Sequence, residues 1–123
     1  MAFDGEAFIR QFTTVWNNHD LDGIDELFTD DVVFEASFGS DPWGKRAVGK
    51  AAARQLVTEI IAQIPDVRWD EIRHFVSPQH ATIESVTTGT PRGGTRFEVH
   101  LVDVPTLRDG KVAAKRSYRK ATL

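Results

Sequence analysis

The chain has 123 residues, of which 41% are hydrophobic, enough for one domain with a core of its own, spanning 1–123. It has no cysteine, which excludes disulfides, thiolate catalysis and cysteine-bound zinc or iron–sulfur centres. A formal net charge of −3 argues against a general nucleic-acid binder, and the local run of Lys115, Arg116, Arg119 and Lys120 reads as a solvated strand end.

Met1 to Glu6 lack the basic start and apolar run of a signal peptide, and nothing approaches the roughly 20 apolar residues of a membrane span, so a cytoplasmic protein without membrane contact is expected. Asp4 is placed to cap a first helix whose Phe8, Ile9, Phe12, Val15 and Trp16 fall on one face of a 3.6-residue period. Asn17-Asn18-His19 breaks it. Asp20 is placed to cap a second, short helix carrying Leu21, Ile24, Leu27 and Phe28, ended by Asp30-Asp31. A strand from Val32 to Phe38 follows, then a loop at Asp41-Pro42-Trp43-Gly44. Val48, Ala52, Leu56, Ile60, Ile61 and Ile64 mark a long third helix stopped by Pro65.

From Val67 the period changes to two. Val67 to Val76, Ala81 to Thr90, Thr95 to Val104 and Val112 to Tyr118 read as antiparallel strands, broken at Ser77-Pro78, Gly93-Gly94 and the Asp109-Gly110 turn. One early strand, a long helix and a four-strand meander imply an α+β domain: a curved antiparallel sheet wrapped around three helices from the N-terminal half, a cone-like α+β barrel. The outer sheet face, with Glu98, His100 and Val102, is expected to pair two copies into a homodimer.

His19 to Glu35, the Gly-Lys-Ala-Ala start of the third helix, Ile64-Pro65-Asp66, Thr88-Gly89-Thr90 and Leu107 to Val112 occur in an order that resembles the SnoaL-like and ketosteroid-isomerase-like families of the nuclear transport factor 2 superfamily. The resemblance covers nearly the whole chain and is distributed rather than concentrated in one motif, so it speaks for fold more than for reaction. It implies a cone with a deep, mostly apolar pocket, frequent homodimers, and enzymes that include steroid isomerases, polyketide cyclases and epoxide hydrolases. The steroid-isomerase tyrosine falls at Phe12 and its aspartate base at Ala36; only the third carboxyl survives, as Asp103. The epoxide-hydrolase arginine and aspartates fall near Ser85, Thr87 and Ser117, so neither standard set is retained.

Asp103 shares a strand face with Phe97, Val99 and Leu101, while Glu98, His100 and Val102 take the other. It is therefore the leading catalytic candidate, read as a buried acid that donates a proton or hydrogen bond to a ligand oxygen; the competing reading is a strand-end carboxylate. Glu84 is the second, placed inside by the isomerase resemblance along with Thr82, Val86 and Thr88. Phe12, Trp16, Phe34, Ala36 and Phe38 are expected to line the cavity, with Trp43 as a lid and Leu56, Val86, Leu101 and Tyr118 completing the ligand-binding set. His74 and His80 lack a carboxylate at ligand spacing, so no metal is expected. Gly89 to Gly94 joins two strands and is a hairpin loop rather than a phosphate cradle. Two functions fit: a cofactor-free isomerase, cyclase or hydratase working by proton transfer on a steroid-, polyketide- or terpenoid-like substrate, or a non-catalytic domain binding a hydrophobic ligand or a protein.

Overall fold

The computed structural model describes residues 2–121. Helix α1 (Gly5–Asn17) starts where the Asp4 carboxylate accepts the Ala7 N–H at 3.0 Å, and it buries Phe8, Ile9, Phe12, Val15 and Trp16. Helix α2 (Leu21–Leu27) starts the same way, with Asp20 accepting from the Gly23 N–H, and buries Ile24 and Leu27.

Strand β1 (Phe28–Glu35) begins four residues earlier than the aspartate pair implied. Asp30 and Asp31 do not end the helix; they lie in the strand, exposed, at an irregular stretch between Phe28 and Val33. Asp31 there accepts from Thr29 at 2.8 Å and from Arg108 at 2.5 Å. Phe28, Val32 and Phe34 go into the core.

A short strand absent from the sequence reading, β2 (Arg46–Val48), folds back on β1, and helix α3 (Lys50–Gln63) follows. Between β1 and β2 the loop closes through Lys45 N–H to Phe38 O at 2.9 Å. Gly44 holds a φ of 78°, and a β-carbon there would collide with the Ala36 carbonyl, so the loop carrying Trp43 requires glycine.

The remaining strands are β3 (Arg68–Val76), β4 (Ala81–Gly89), β5 (Phe97–Arg108) and β6 (Lys111–Arg119). Asp109 and Gly110 both have positive φ, 53° and 76°, the requirement of a two-residue primed turn. The order β2-β1-β6-β5-β4-β3 makes one six-stranded, curved, unclosed sheet, which with the three helices forms the cone-like α+β fold. It is mixed, because β1 and β6 pair in parallel. No helix among the described residues is long and apolar enough to cross a membrane.

Two bulges decide which side chains face the helices. In β6, Val112 pairs with Leu107 but Ala114 pairs with Thr106, so Ala113 is an extra residue. In β3, Glu71 pairs with Ser85 and Arg73 with Glu84, leaving Ile72 as the extra one. Each inserted residue exchanges the faces of everything beyond it.

Candidate functional site

On β5, alternation buries Leu101, Asp103, Pro105 and Leu107, as the sequence implied. Asp103 pairs with Ser117 across the β5–β6 ladder and Pro105 with Lys115, so the β6 bulge turns Lys115 and Ser117 inward. Lys115 Nζ lies 2.9 Å from Asp103 Oδ1, and both side chains are only 7% exposed. Ser117 Oγ donates to the same Oδ1 at 2.5 Å and accepts from Lys115 Nζ at 2.9 Å. Lys115 Nζ also stands over the rings of Trp16, at 4.6 Å, and Phe34, at 4.9 Å.

Asp103 Oδ1 thus accepts from Ser117 and faces the Lys115 ammonium, where the sequence left open a buried donor to a ligand oxygen and a strand-end carboxylate. Its other oxygen, Oδ2, has no hydrogen bond among the described residues. The strand-end run read as solvated is likewise corrected at Lys115, which is buried under the aromatic wall.

Glu84 is on the outer face. It pairs across the sheet with Val102 and forms an ion pair with Arg73 at 3.4 Å, while Ile83, Ser85 and Thr87 occupy the inner face. The register fixed by Ile83 opposite Asp103 is the cause. Val86, opposite His100, is outward with it. Tyr118 is 58% exposed and also outward: without the extra Ala113 it would oppose Leu101 inside, but the bulge puts Arg119 there.

The other expected lining residues divide by position. Phe12 and Trp16 border an inner cavity of about 20 Å³ together with Ile83, Ser85, Asp103 and Lys115. Trp16 also borders an adjoining space of about 40 Å³, with Phe34, Ala36, Phe38, Leu101, Lys115, Ser117 and Arg119. Leu56 is packed in the core and borders neither. Trp43 is 46% exposed beside an open outer cleft of about 490 Å³, with Arg46 stacked 4.5 Å from its ring centre. Ala36, Ser37, Ser117 and Arg119 border both the cleft and the 40 Å³ space and form the neck between them. These inner spaces have room for no more than a few waters, so the roomy pocket expected from the sequence is closed in this conformation and an organic ligand must displace side chains to enter.

Polar groups near the cavity that the sequence reading passed over are Lys115, Ser117, the hydrogen-bonded pair Ser85 and Thr87 at 3.0 Å, and Glu71. Glu71 joins His74, whose Nδ1 is 3.0 Å from its carboxylate and whose Nε2 is 3.0 Å from Glu6. His74 thus has two carboxylate partners; Glu6 first, then Glu71, raise its pKa above the ordinary 6.5. At the neck, burial lowers the Arg119 guanidinium from its ordinary value, and its Nε is buried without a hydrogen-bond partner among the described residues.

The cone, its inward-facing meander and its helical plug define a ketosteroid-isomerase-like fold. A hypothetical protein of that fold from Catenulispora acidiphila, solved in complex with trimethylamine, is similar at a TM-score of 0.79, with 19% identity over 94% of this chain and 86% of that one. A nuclear transport factor 2-like protein of unknown function from Mesorhizobium loti is 28% identical, at a TM-score of 0.75 over 94% of this chain and 90% of that one. A presumed polyketide cyclase from Sinorhizobium meliloti shares 19% identity at a TM-score of 0.75, over 90% and 93% of the two chains. No curated protein matches the sequence. The SnoaL-like domain model matches residues 9–115, and the chain belongs to that family.

Proposed function

We propose that the protein is a cofactor-free proton-transfer enzyme of the isomerase or cyclase kind, acting on an apolar carbonyl compound of the steroid, polyketide or terpenoid type. The observation that carries this reading is the Asp103–Lys115–Ser117 group beside the aromatic cavity wall. A buried ion pair is poor value as a stabilising device, since well-packed apolar residues commonly do as well or better, so its place next to a cavity needs another reason.

The chemistry follows from the two charges. Asp103 Oδ2 takes a proton from the carbon next to a ligand carbonyl; the C–H electron pair forms a carbon–carbon double bond, and the carbonyl π electrons move onto oxygen. The Lys115 ammonium holds that oxyanion, with no reorganisation needed when the charge develops. Where a carbon–carbon double bond lies β,γ to the carbonyl, the product is a dienolate, and Asp103 returns the proton to its γ-carbon as the carbonyl re-forms, which completes an isomerisation; in a cyclisation the enolate carbon attacks a second carbonyl and the proton held by Asp103 passes to the new alkoxide. Ser117 is a positioning residue that fixes the carboxylate and ammonium relative to each other. The cyclase-named relative from Sinorhizobium meliloti supports this class of reaction.

The alternative is a hydrophobic-ligand-binding domain of the same fold, favoured by the small closed interior. In either case the ligand enters by the outer cleft, under Trp43, and two copies associate through the outer sheet face. A panel of steroid, polyketide-like and terpenoid ketones in heavy water separates the readings: the enzyme incorporates deuterium next to the carbonyl, whereas the binding domain quenches Trp16 and Trp69 fluorescence without exchange.

A further inference from the structure

We propose that the neck joining the outer cleft to the cone interior is an anion site built on Arg119, so that the ligand is an amphipathic organic acid whose carboxylate docks on that guanidinium. This rests on the reading that the cone interior receives a ligand.

Four charged side chains border the cleft: Arg46, Arg116 and Arg119 against the single carboxylate of Glu35. Glu35 is already engaged. Its Oε2 is 2.8 Å from Arg46 Nε, and its Oε1 is 4.0 Å from Arg116 Nε. Inside, Lys115 is matched by Asp103. Arg119 is the cation left over, in no ion pair among the described residues, and it borders both the cleft and the inner space. The local excess is positive although the whole chain carries a formal net charge of −3.

The surroundings of Arg119 suit an anion approaching from one side. Its guanidinium covers the Phe97 ring at 4.8 Å, which leaves the in-plane N–H groups for a ligand, and its Nε–H is buried without a partner among the described residues. A donor and charge so placed cost free energy until something fills them. A carboxylate matches the planar fork with two parallel hydrogen bonds, and the ligand's apolar body then lies toward Phe34, Phe38 and Trp69 in the adjoining space. Chain pairing explains why the site is open here: β1 and β6 pair only as far as Glu35 opposite Arg116, so residues 117 to 119 border the gap that β1 leaves.

Calorimetric titration with 1-naphthylacetate and its primary amide, matched in shape and differing in charge, tests this. Wild type is expected to bind the acid at least about tenfold more tightly than the amide, a preference that shrinks with added salt. Arg119→Gln should abolish the preference, Arg119→Lys should retain part of it, and the charge-neutral double variant Asp103→Leu/Lys115→Met, which removes the inner pair, separates a contribution of that pair from that of Arg119. Equal affinities in wild type, no binding of either probe, or an undiminished preference in a folded Arg119→Gln protein would overturn the proposal. So would loss of the preference in a folded Asp103→Leu/Lys115→Met protein with Arg119 intact, which assigns the anion to the inner pair. Failure of the proton-transfer reading shows separately, as absent deuterium incorporation into neutral ketones.

Discussion

Lys115 Nζ lies 2.9 Å from Asp103 Oδ1, in a pair whose side chains are both 7% exposed, and Ser117 bridges the two. Removing one member leaves an uncompensated charge against aromatic rings. Lys115→Met is therefore expected to destabilise the fold by about 3–5 kcal/mol, and the double variant Asp103→Leu/Lys115→Met by much less than the sum of the singles. Urea unfolding of the four proteins measures the coupling; additive losses would show that the two groups do not interact.

Helix α1 is tied to β3 by His74 between Glu6 and Glu71. Both carboxylates, Glu6 first, raise the imidazole pKa in the folded state above its ordinary value of 6.5. The stability this adds is present in full below the unfolded-state value and is lost as pH rises from 6.5 through the raised folded value. The thermal midpoint of wild type should fall over that interval and that of His74→Gln should not; parallel profiles would refute the coupling. On the acid side, Arg108 first and Thr29 second hold Asp31 at about 2, so its contribution fades between pH 3.8 and about 2.

Glu84 is ion-paired to Arg73 on the face away from Asp103. Glu84→Gln should leave ligand affinity and any deuterium exchange within about twofold of wild type, since the charge is partly exposed and outside the cavity. A loss of tenfold or more in exchange with unchanged stability would return Glu84 to the site.

On the same outer face, Ile72, Phe75 and Tyr118 are 39%, 68% and 58% exposed, apolar surface that a second copy would cover. Light scattering at micromolar concentration should give twice the chain mass, and Val102→Glu, a charge in the middle of that face, should halve it. A wild-type monomer at high micromolar concentration would remove the dimer.

Much of the fold was legible because its signals are local. The α1 stripe, the Asp4 and Asp20 caps, the stop at Pro65 and the Asp109-Gly110 turn each act within a few residues. Asp103 was legible too, since alternation along one strand needs no partner. Glu84, Val86, Tyr118 and Lys115 were not, because their faces depend on register between strands. A two-residue turn with no bulge would set Arg116 opposite Asp103; the extra Ala113 moves Ser117 there and brings Lys115 inside. No propensity in Val112-Ala113-Ala114 announces that insertion. The aspartates at 30 and 31 misled for a related reason: their capping chemistry is local, but the chain keeps them in β1, where Asp31 pairs with Arg108 from the far end of β5 and Asp30 with Lys50.

The central claim, that Asp103 moves a proton while Lys115 holds the developing oxyanion, is tested most directly by deuterium incorporation next to the carbonyl of a ketone that wild type binds, followed by proton NMR in heavy water. The account predicts acceleration over buffer by wild type and a loss of about 100-fold or more in Asp103→Asn, which keeps the shape and removes the base, with binding of the ketone retained. Exchange at the wild-type rate in a folded Asp103→Asn protein, or no exchange over buffer for any ketone that binds wild type, would contradict it.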